Sequence, residues 1–195
     1  LALNCRHVTV VEPSESMLAV LQEVASETGI GNLSIVQSSW EEAKVKRADV
    51  VLCAHVVYGV EEIDVFVRKL TAYSRRMVLL IMMMEWPLSG LSPVWRLVHN
   101  EDRIILPGIE EMLPVLWEMD VYPDLEMGPP MSPRIFETRE KAQEELRRRM
   151  YVKEDSSGDK RLFKALGKLL VRVPGGYTIR GAPLRRLAFL SWKPE

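Results

Sequence analysis

Cysteine and histidine are scarce in this 195-residue chain, with two of the first and three of the second. The scarcity excludes several chemistries. Cys5 and Cys53 both sit in strand-like apolar contexts, so a disulfide framework is not expected and a reduced, cytoplasmic setting is. No Cys/His cluster has metal-ligand spacing, and there is no nucleophile elbow or phosphate loop. No apolar run approaches the roughly 20 residues that span a bilayer. The longest candidate, Met77 to Met84, reads as a core strand. The start lacks the charged-then-apolar pattern of a secretion signal. A net charge of −1 provides no long-range attraction to nucleic acid or anionic membrane. Internal repeats and low-complexity segments are absent. What is present is 47% hydrophobic residues, enough for a core, and 27% charged residues to solvate it. The length fits one domain.

The organising stretch is His7 to Ser16, HVTVVEPSES. Val8, Val10 and Val11 are nearly continuous, the pattern of a parallel strand covered on both faces. Pro13 stops the strand, Ser14 suits a helix N-cap, and Glu15 complements the helix start. Met17, Leu18, Leu21, Val24 and Ala25 follow at helical spacing, up to Gly29 and Gly31-Asn32. Leu33–Ser38 reads as a second strand, and Glu41–Arg47 as a polar link. Ala48–Ala54 reads as a third buried strand, Glu61–Ser74 as an amphipathic helix, and Met77–Met84 as a fourth strand. Strands alternating with helices imply a parallel sheet with right-handed crossovers.

Beyond Met84 the pattern changes. Residues 85–106 read as a Pro- and Gly-bearing loop with one short helix. Ile109, Met112, Leu113 and Leu116 form a helical stripe in which Pro114 must kink the helix or lie in its first turn. Asp124–Met127 is a candidate short strand. Thr138–Val152 reads as a charged helix, with Arg147–Arg149 at its solvated end. Asp159 is a candidate N-cap for a helix carrying Leu162, Phe163, Leu166, Leu169 and Leu170, broken by Gly175-Gly176. Tyr177–Arg180 and Leu187–Trp192 read as an antiparallel pair joined through Gly181-Ala182-Pro183.

Glu12 ends the first strand. In open α/β sheets ligands bind at the carboxyl ends of strands, and an acid there can accept hydrogen bonds from both ribose hydroxyls. The glycine-rich turn of such folds lies roughly 20 residues before that acid. In this chain that point falls ahead of Leu1, so a first strand, a glycine turn and most of a helix are expected upstream.

Four stretches, VVEPSESML at 10–18, IVQSSWEEA at 35–43, ADVVLCAHVVYGVEEI at 48–63 and RRMVLLIMM at 75–83, carry a likeness. With the closing LAFLSWKP, the chain resembles a class I S-adenosylmethionine-dependent methyltransferase from its second strand onward. The resemblance implies a Rossmann-like α/β fold: a mostly parallel sheet with an antiparallel last strand, helices on both faces, and a helical insertion in the C-terminal half. It implies one domain over 1–195, with a cofactor-side half at 1–84 and an acceptor-side half at 85–195. It also implies S-adenosylmethionine as cofactor and a small-molecule acceptor, with neither nucleic acid nor membrane as partner. Glu12 matches the ribose-binding acid. Pro13, Met17 and Leu18 match residues beside the adenosyl group. Ser39 and Trp40 match the adenine loop, with Ser39 where Asp is common. Ala54 and His55 match positions near the amino-acid end of the cofactor. His55 and Tyr58 are candidates for acid–base or substrate-wall roles, and Trp86 and Trp95 for an acceptor pocket.

Each residue also has a plainer reading. Glu12 can be a cap or surface charge, Trp40 an edge-of-core aromatic, His55 a satisfied polar group, and Tyr58 core. Trp86 and Trp95 can simply cover the sheet. Two other functions compete with methyl transfer: a non-catalytic binding module on the same fold, and a nicotinamide-dependent oxidoreductase, which also uses a ribose acid. The ending LAFLSWKP and the SSW loop argue against the last. Specificity lies in residues 85–115 and 128–182, which carry no transferable code.

Overall fold

The structure, a computed structural model, describes residues 1–194. The chain divides into two compact units. The first comprises Leu1–Val51 and Glu61–Val78, with the C-terminal residues from Lys193. The second comprises Leu52–Val60 and Leu79–Trp192.

In the first unit a 3-10 turn at Ala2–Asn4 leads into β1 (Val8–Val11), α1 (Glu15–Glu27) and β2 (Leu33–Val36). The β1–β2 ladder is parallel, with Val8 opposite Leu33 and Val11 opposite Val36. Ser14 caps α1 by accepting a hydrogen bond from the Met17 N–H at 3.4 Å. Gly29, at φ +66°, turns the chain after the helix. The link after β2 is not merely polar. Lys69 of α2 (Ile63–Tyr73) donates to the carbonyls of Glu41 and Ala43, both at 2.9 Å. Arg47 donates to the Ser74 carbonyl at 2.8 Å.

β3 (Ala48–Ala54) and β4 (Ser74–Met83) run from the first unit into the second. They belong to a four-stranded sheet of order β3-β4-β8-β5, with β5 at Asp124–Met127 and β8 at Leu187–Trp192. β5 and β8 are antiparallel, Asp124 opposite Ser191. The expectation that β3 is buried is corrected. Cys53 is its one buried residue, while Val50 is 50% and Leu52 38% exposed. An apolar run marks covered faces only when a layer packs on each. Among the described residues the ladder partner in the sheet is β4 alone, and Val50 and Leu52 stay exposed. β1 is likewise half-buried, and the α1 stripe residues Met17 and Val24 are exposed, leaving Leu18 as its buried residue.

In the second unit α3 (Ser92–His99), α5 (Arg139–Arg149) and α6 (Ser157–Leu169) build the core. Val94, Val98, Ala142, Leu146, Leu162, Ala165 and Leu166 pack together there, joined by Phe136, Leu170 and Ile179. Each fully buried Leu contributes roughly 2 kcal/mol. The C-terminal end of α3 is fastened to other segments: Arg161 donates to the Val98 carbonyl, and α3's own His99 donates through Nε2 to the Met150 carbonyl at 2.9 Å. α4 (Ile109–Glu118) retains Pro114 inside it.

Two expectations fail here. Asp159 is not the N-cap of α6. Ser156 is, accepting from the Asp159 N–H at 3.2 Å. Asp159 lies within the first turn and is buried, where Arg147 clamps it through Nε at 2.8 Å and Nη2 at 2.9 Å. Arg147 is therefore not part of a solvated run. The second failure is the antiparallel pair. Gly176–Ile179 (β7) pairs with β6, Leu170–Val173, and not with β8. Leu169 and Leu170 continue the helical stripe in sequence, which hides the switch to extended backbone at Leu170. Phe163, read as part of that stripe, is 67% exposed.

Two glycines separate packing from propensity. A Cβ on Gly176, at φ +146°, would stand 2.1 Å from the Phe136 carbonyl oxygen. One on Gly167 meets nothing within 4 Å. Urea titrations should show Gly176→Ala destabilised by about 1–3 kcal/mol, and Gly167→Ala stabilised by about 0.4–1 kcal/mol. The Arg147 fork holds the Asp159 carboxyl down at about 2, below its ordinary 3.8. A depressed acid stabilises the fold above its unfolded value and loses that contribution as pH falls through the folded value. Thermal midpoints recorded from pH 5 to pH 2 should therefore fall less steeply in Asp159→Asn than in the parent. At neutral pH the same variant should lose about 1–2 kcal/mol, a modest figure because solvent screens part of the pair.

Candidate functional site

The candidate residues fall in both units, and each set is described by itself. In the first, the parallel ladder delivers two loops to one end. The Glu12 N–H donates to the Val36 carbonyl at 3.2 Å, extending the β1–β2 pairing by one residue. The Glu12 side chain starts where the ladder stops. Its Oε1 accepts the Ser14 N–H at 2.8 Å. Its second oxygen has no hydrogen-bond partner among the described residues. Glu12 is half-buried, Pro13 is exposed, and Met17 is 58% exposed on the first turns of α1.

Ser39 and Trp40 follow β2 at the same end. The Ser39 hydroxyl accepts from the Glu42 N–H at 3.4 Å and its carbonyl from the Ala43 N–H at 3.0 Å, so it serves a local turn. Trp40 is anchored on α2. Its Nε1 donates to the Phe66 carbonyl at 3.4 Å, and its ring meets Phe66 and Tyr73 edge-on. The Lys69 ammonium stands 5.1 Å from the ring centre.

In the second unit Ala54 and His55 end β3, and both are exposed. The His55 N–H donates to the Ile81 carbonyl of β4 at 2.9 Å, and His55 itself takes φ +60°. A non-glycine residue in this left-handed region costs of order 1–2 kcal/mol. The turn brings His55 Nδ1 within 3.2 Å of Tyr58 Oη, with the rings nearly parallel. Tyr58 is buried, and its Oη accepts the Met83 N–H at 2.6 Å. Burial pushes the phenol upward, and the Met83 N–H partly offsets this. The phenol oxygen has two lone pairs, so it can accept from His55 Nδ1–H as well as from Met83, an arrangement that leaves Nε2 free to take a proton. Cys53 is buried, and desolvation pushes its thiol up to about 12, away from the reactive thiolate.

Met83 also lines a cavity of about 250 Å³. Its other walls include Met84, Trp86, Phe136 and Ile179. Met84 is clamped in place: its N–H donates to the Arg186 carbonyl at 2.9 Å, and its carbonyl accepts from Ile109 at 3.1 Å. Trp86 faces this cavity, while Trp95 does not line it. The two indoles instead flank the Arg103 guanidinium, whose central carbon lies 4.6 Å and 4.8 Å from their ring centres. Sequence reasoning missed the arginines of this cavity. Arg134, Arg149, Arg185 and Arg186 come from three separated segments, and no local spacing connects them.

A sequence profile of the family described as "Methyltransferase domain" matches residues 1–81. No curated protein matches the chain. Among solved structures, the YcgJ protein of Bacillus subtilis aligns with a TM-score of 0.61 at 13% identity, over 97% of this chain and 83% of its own. The BH2331 protein of Bacillus halodurans, whose description also names a methyltransferase, aligns at 0.58 and 14%, over 95% and 81%. The precorrin 8W decarboxylase of Methanobacterium thermoautotrophicum aligns at 0.51 and 11%, over 98% and 72%. At these identities the structures speak for the fold, and that fold is the Rossmann-like α/β architecture. Residues 1–81 thus match the methyltransferase-domain profile, and the chain shares its Rossmann-like α/β fold with these solved structures.

Proposed function

We propose that this protein transfers a methyl group from S-adenosylmethionine to a small-molecule acceptor. The observation that carries the reading is Glu12. Its carboxylate stands at the carboxyl end of a parallel strand, one oxygen fixed by the Ser14 N–H and the other without a partner among the described residues. It lies inside the segment that matches the methyltransferase domain. An acid so held is ready to accept ribose hydroxyls without reorganising. In this reading Pro13 and Met17 pack beside the adenosyl group. Trp40 borders the adenine, fixed by its contacts to α2, while Ser39 shapes the loop rather than reading the base. Ala54 and His55 approach the amino-acid end.

S-adenosylmethionine supplies a methyl group already activated on a sulfonium. The chain's own residues therefore have to orient the acceptor and keep water out. Where the acceptor carries a proton to be lost, His55 is the group to receive it. Tyr58 would hold the imidazole through Nδ1, and the Met83 N–H would hold Tyr58. The acceptor cavity of this reading is walled by residues after β4, and membrane or nucleic-acid partners have no part in it. The protein is expected to work in the cytoplasm.

Calorimetric titration with S-adenosylhomocysteine tests the cofactor assignment. Glu12→Ala should weaken binding about tenfold or more, the loss of hydrogen bonds to a charged group. Equal affinity in parent and variant would remove Glu12 from the ribose site, and tighter binding of NAD would point to the nicotinamide enzymes instead.

A further inference from the structure

The second unit holds an unmatched set of positive groups. The 250 Å³ cavity is lined by Arg134, Arg149, Arg185 and Arg186, and by a single acid, Glu85. Outside the lining, Glu145 binds both Arg134, at 2.6 Å, and Arg149, at 2.8 Å. One carboxylate thus holds two guanidiniums in position while neutralising one charge. Glu85 accepts from the Ser89 hydroxyl at 2.9 Å. Four cations therefore meet two anions around the space.

Arg185 is the most telling of them. Its backbone is fixed on Met131 in both directions, at 2.7 and 3.1 Å. Its Nε is buried and has no hydrogen-bond partner among the described residues. Buried donors are normally satisfied, and an exception calls for an acceptor. Behind the Trp86 wall the same shortage recurs: Arg103 Nη1 and Trp95 Nε1 are buried without partners among the described residues. These are all donors. A guanidinium matches an oxyanion through its parallel N–H groups. The volume, near the low end of ligand cavities at about 300 Å³, suits a small molecule rather than a polymer. The methionine, tryptophan and phenylalanine walls suit an apolar body attached to that anion.

We infer that this cavity binds the oxyanion of a small acidic compound, a carboxylate or phosphate on an apolar body, with Arg185 as its main ligand. Met83 borders this cavity and also holds Tyr58, so the bound compound lies one residue from the His55–Tyr58 pair. Its identification as the methyl acceptor rests on the reading of the preceding subsection; the oxyanion site itself does not.

The test is calorimetric titration of the chain with benzoate, phenyl phosphate and neutral benzamide. At least one anion should bind about tenfold more tightly than benzamide, and the tighter of the two identifies carboxylate or phosphate as the preferred group. Arg185→Met, with an unchanged thermal midpoint, should erase the preference. Arg185→Lys, which keeps charge but loses the fork, should reduce it several-fold and serves if the methionine variant does not fold. Equal binding of the anions and benzamide, or a preference that survives in a folded variant, overturns the site. S-adenosylhomocysteine is titrated separately. Anion binding without it retains the cavity and removes the acceptor role, whereas its binding without any anion preference does the reverse.

Discussion

Parallel pairing between β1 and β2 is the constraint from which the first unit of this chain follows. Two strands running the same way must end at the same edge, so Glu12 and the Ser39-Trp40 turn emerge together. Pro13 has no N–H to continue the ladder, and Ser14 gives its own to Glu12. The same serine then caps α1. Three consecutive residues thus end a strand, orient a carboxylate and start a helix. Backbone geometry positions the acid, and its second oxygen has no partner among the described residues.

In the second unit, position comes from interlocking segments distant in sequence. His55 occupies a strained left-handed turn that its hydrogen bond to Ile81 helps to hold. Tyr58 is fastened by the N–H of Met83, the last residue of β4, and Met84 is gripped by Arg186 on one side and Ile109 on the other. Such clamps make a rigid wall from irregular chain. They also show why the fold does not dictate the reaction. A protein named as a decarboxylase shares the architecture, and function lies in sites that particular side chains build on a fold.

The helical part of the second unit depends on an internal ion pair. Asp159 accepts from Arg147, from Gln143 and from the Asp155 N–H, so a buried carboxylate has its lone pairs filled. Breaking one member would leave the others without a partner in a shielded place. The arginine run at 147–149 looks uniform in sequence, yet its members have separate tasks: Arg147 ties α5 to α6, and Arg149 joins Glu145 beside the cavity. A linear pattern cannot distinguish these, because what separates them is the angle each takes around the helix relative to a neighbour 10 residues or more away.

The local sequence by itself determined the strand–acid–cap run at Val8–Ser14, the boundaries of β3, the helices carrying Leu70, Leu116 and Leu146, and the closing strand, because turn chemistry and apolar period act over a few residues. Only the tertiary structure decided that β7 pairs with β6, that Val50 and Leu52 stay exposed, that Ser156 and not Asp159 caps α6, and that four arginines share one cavity. Those outcomes depend on which surface another segment happens to cover. Burial and charge compensation are properties of neighbours in space, and neighbours in space are what a single chain of letters does not record.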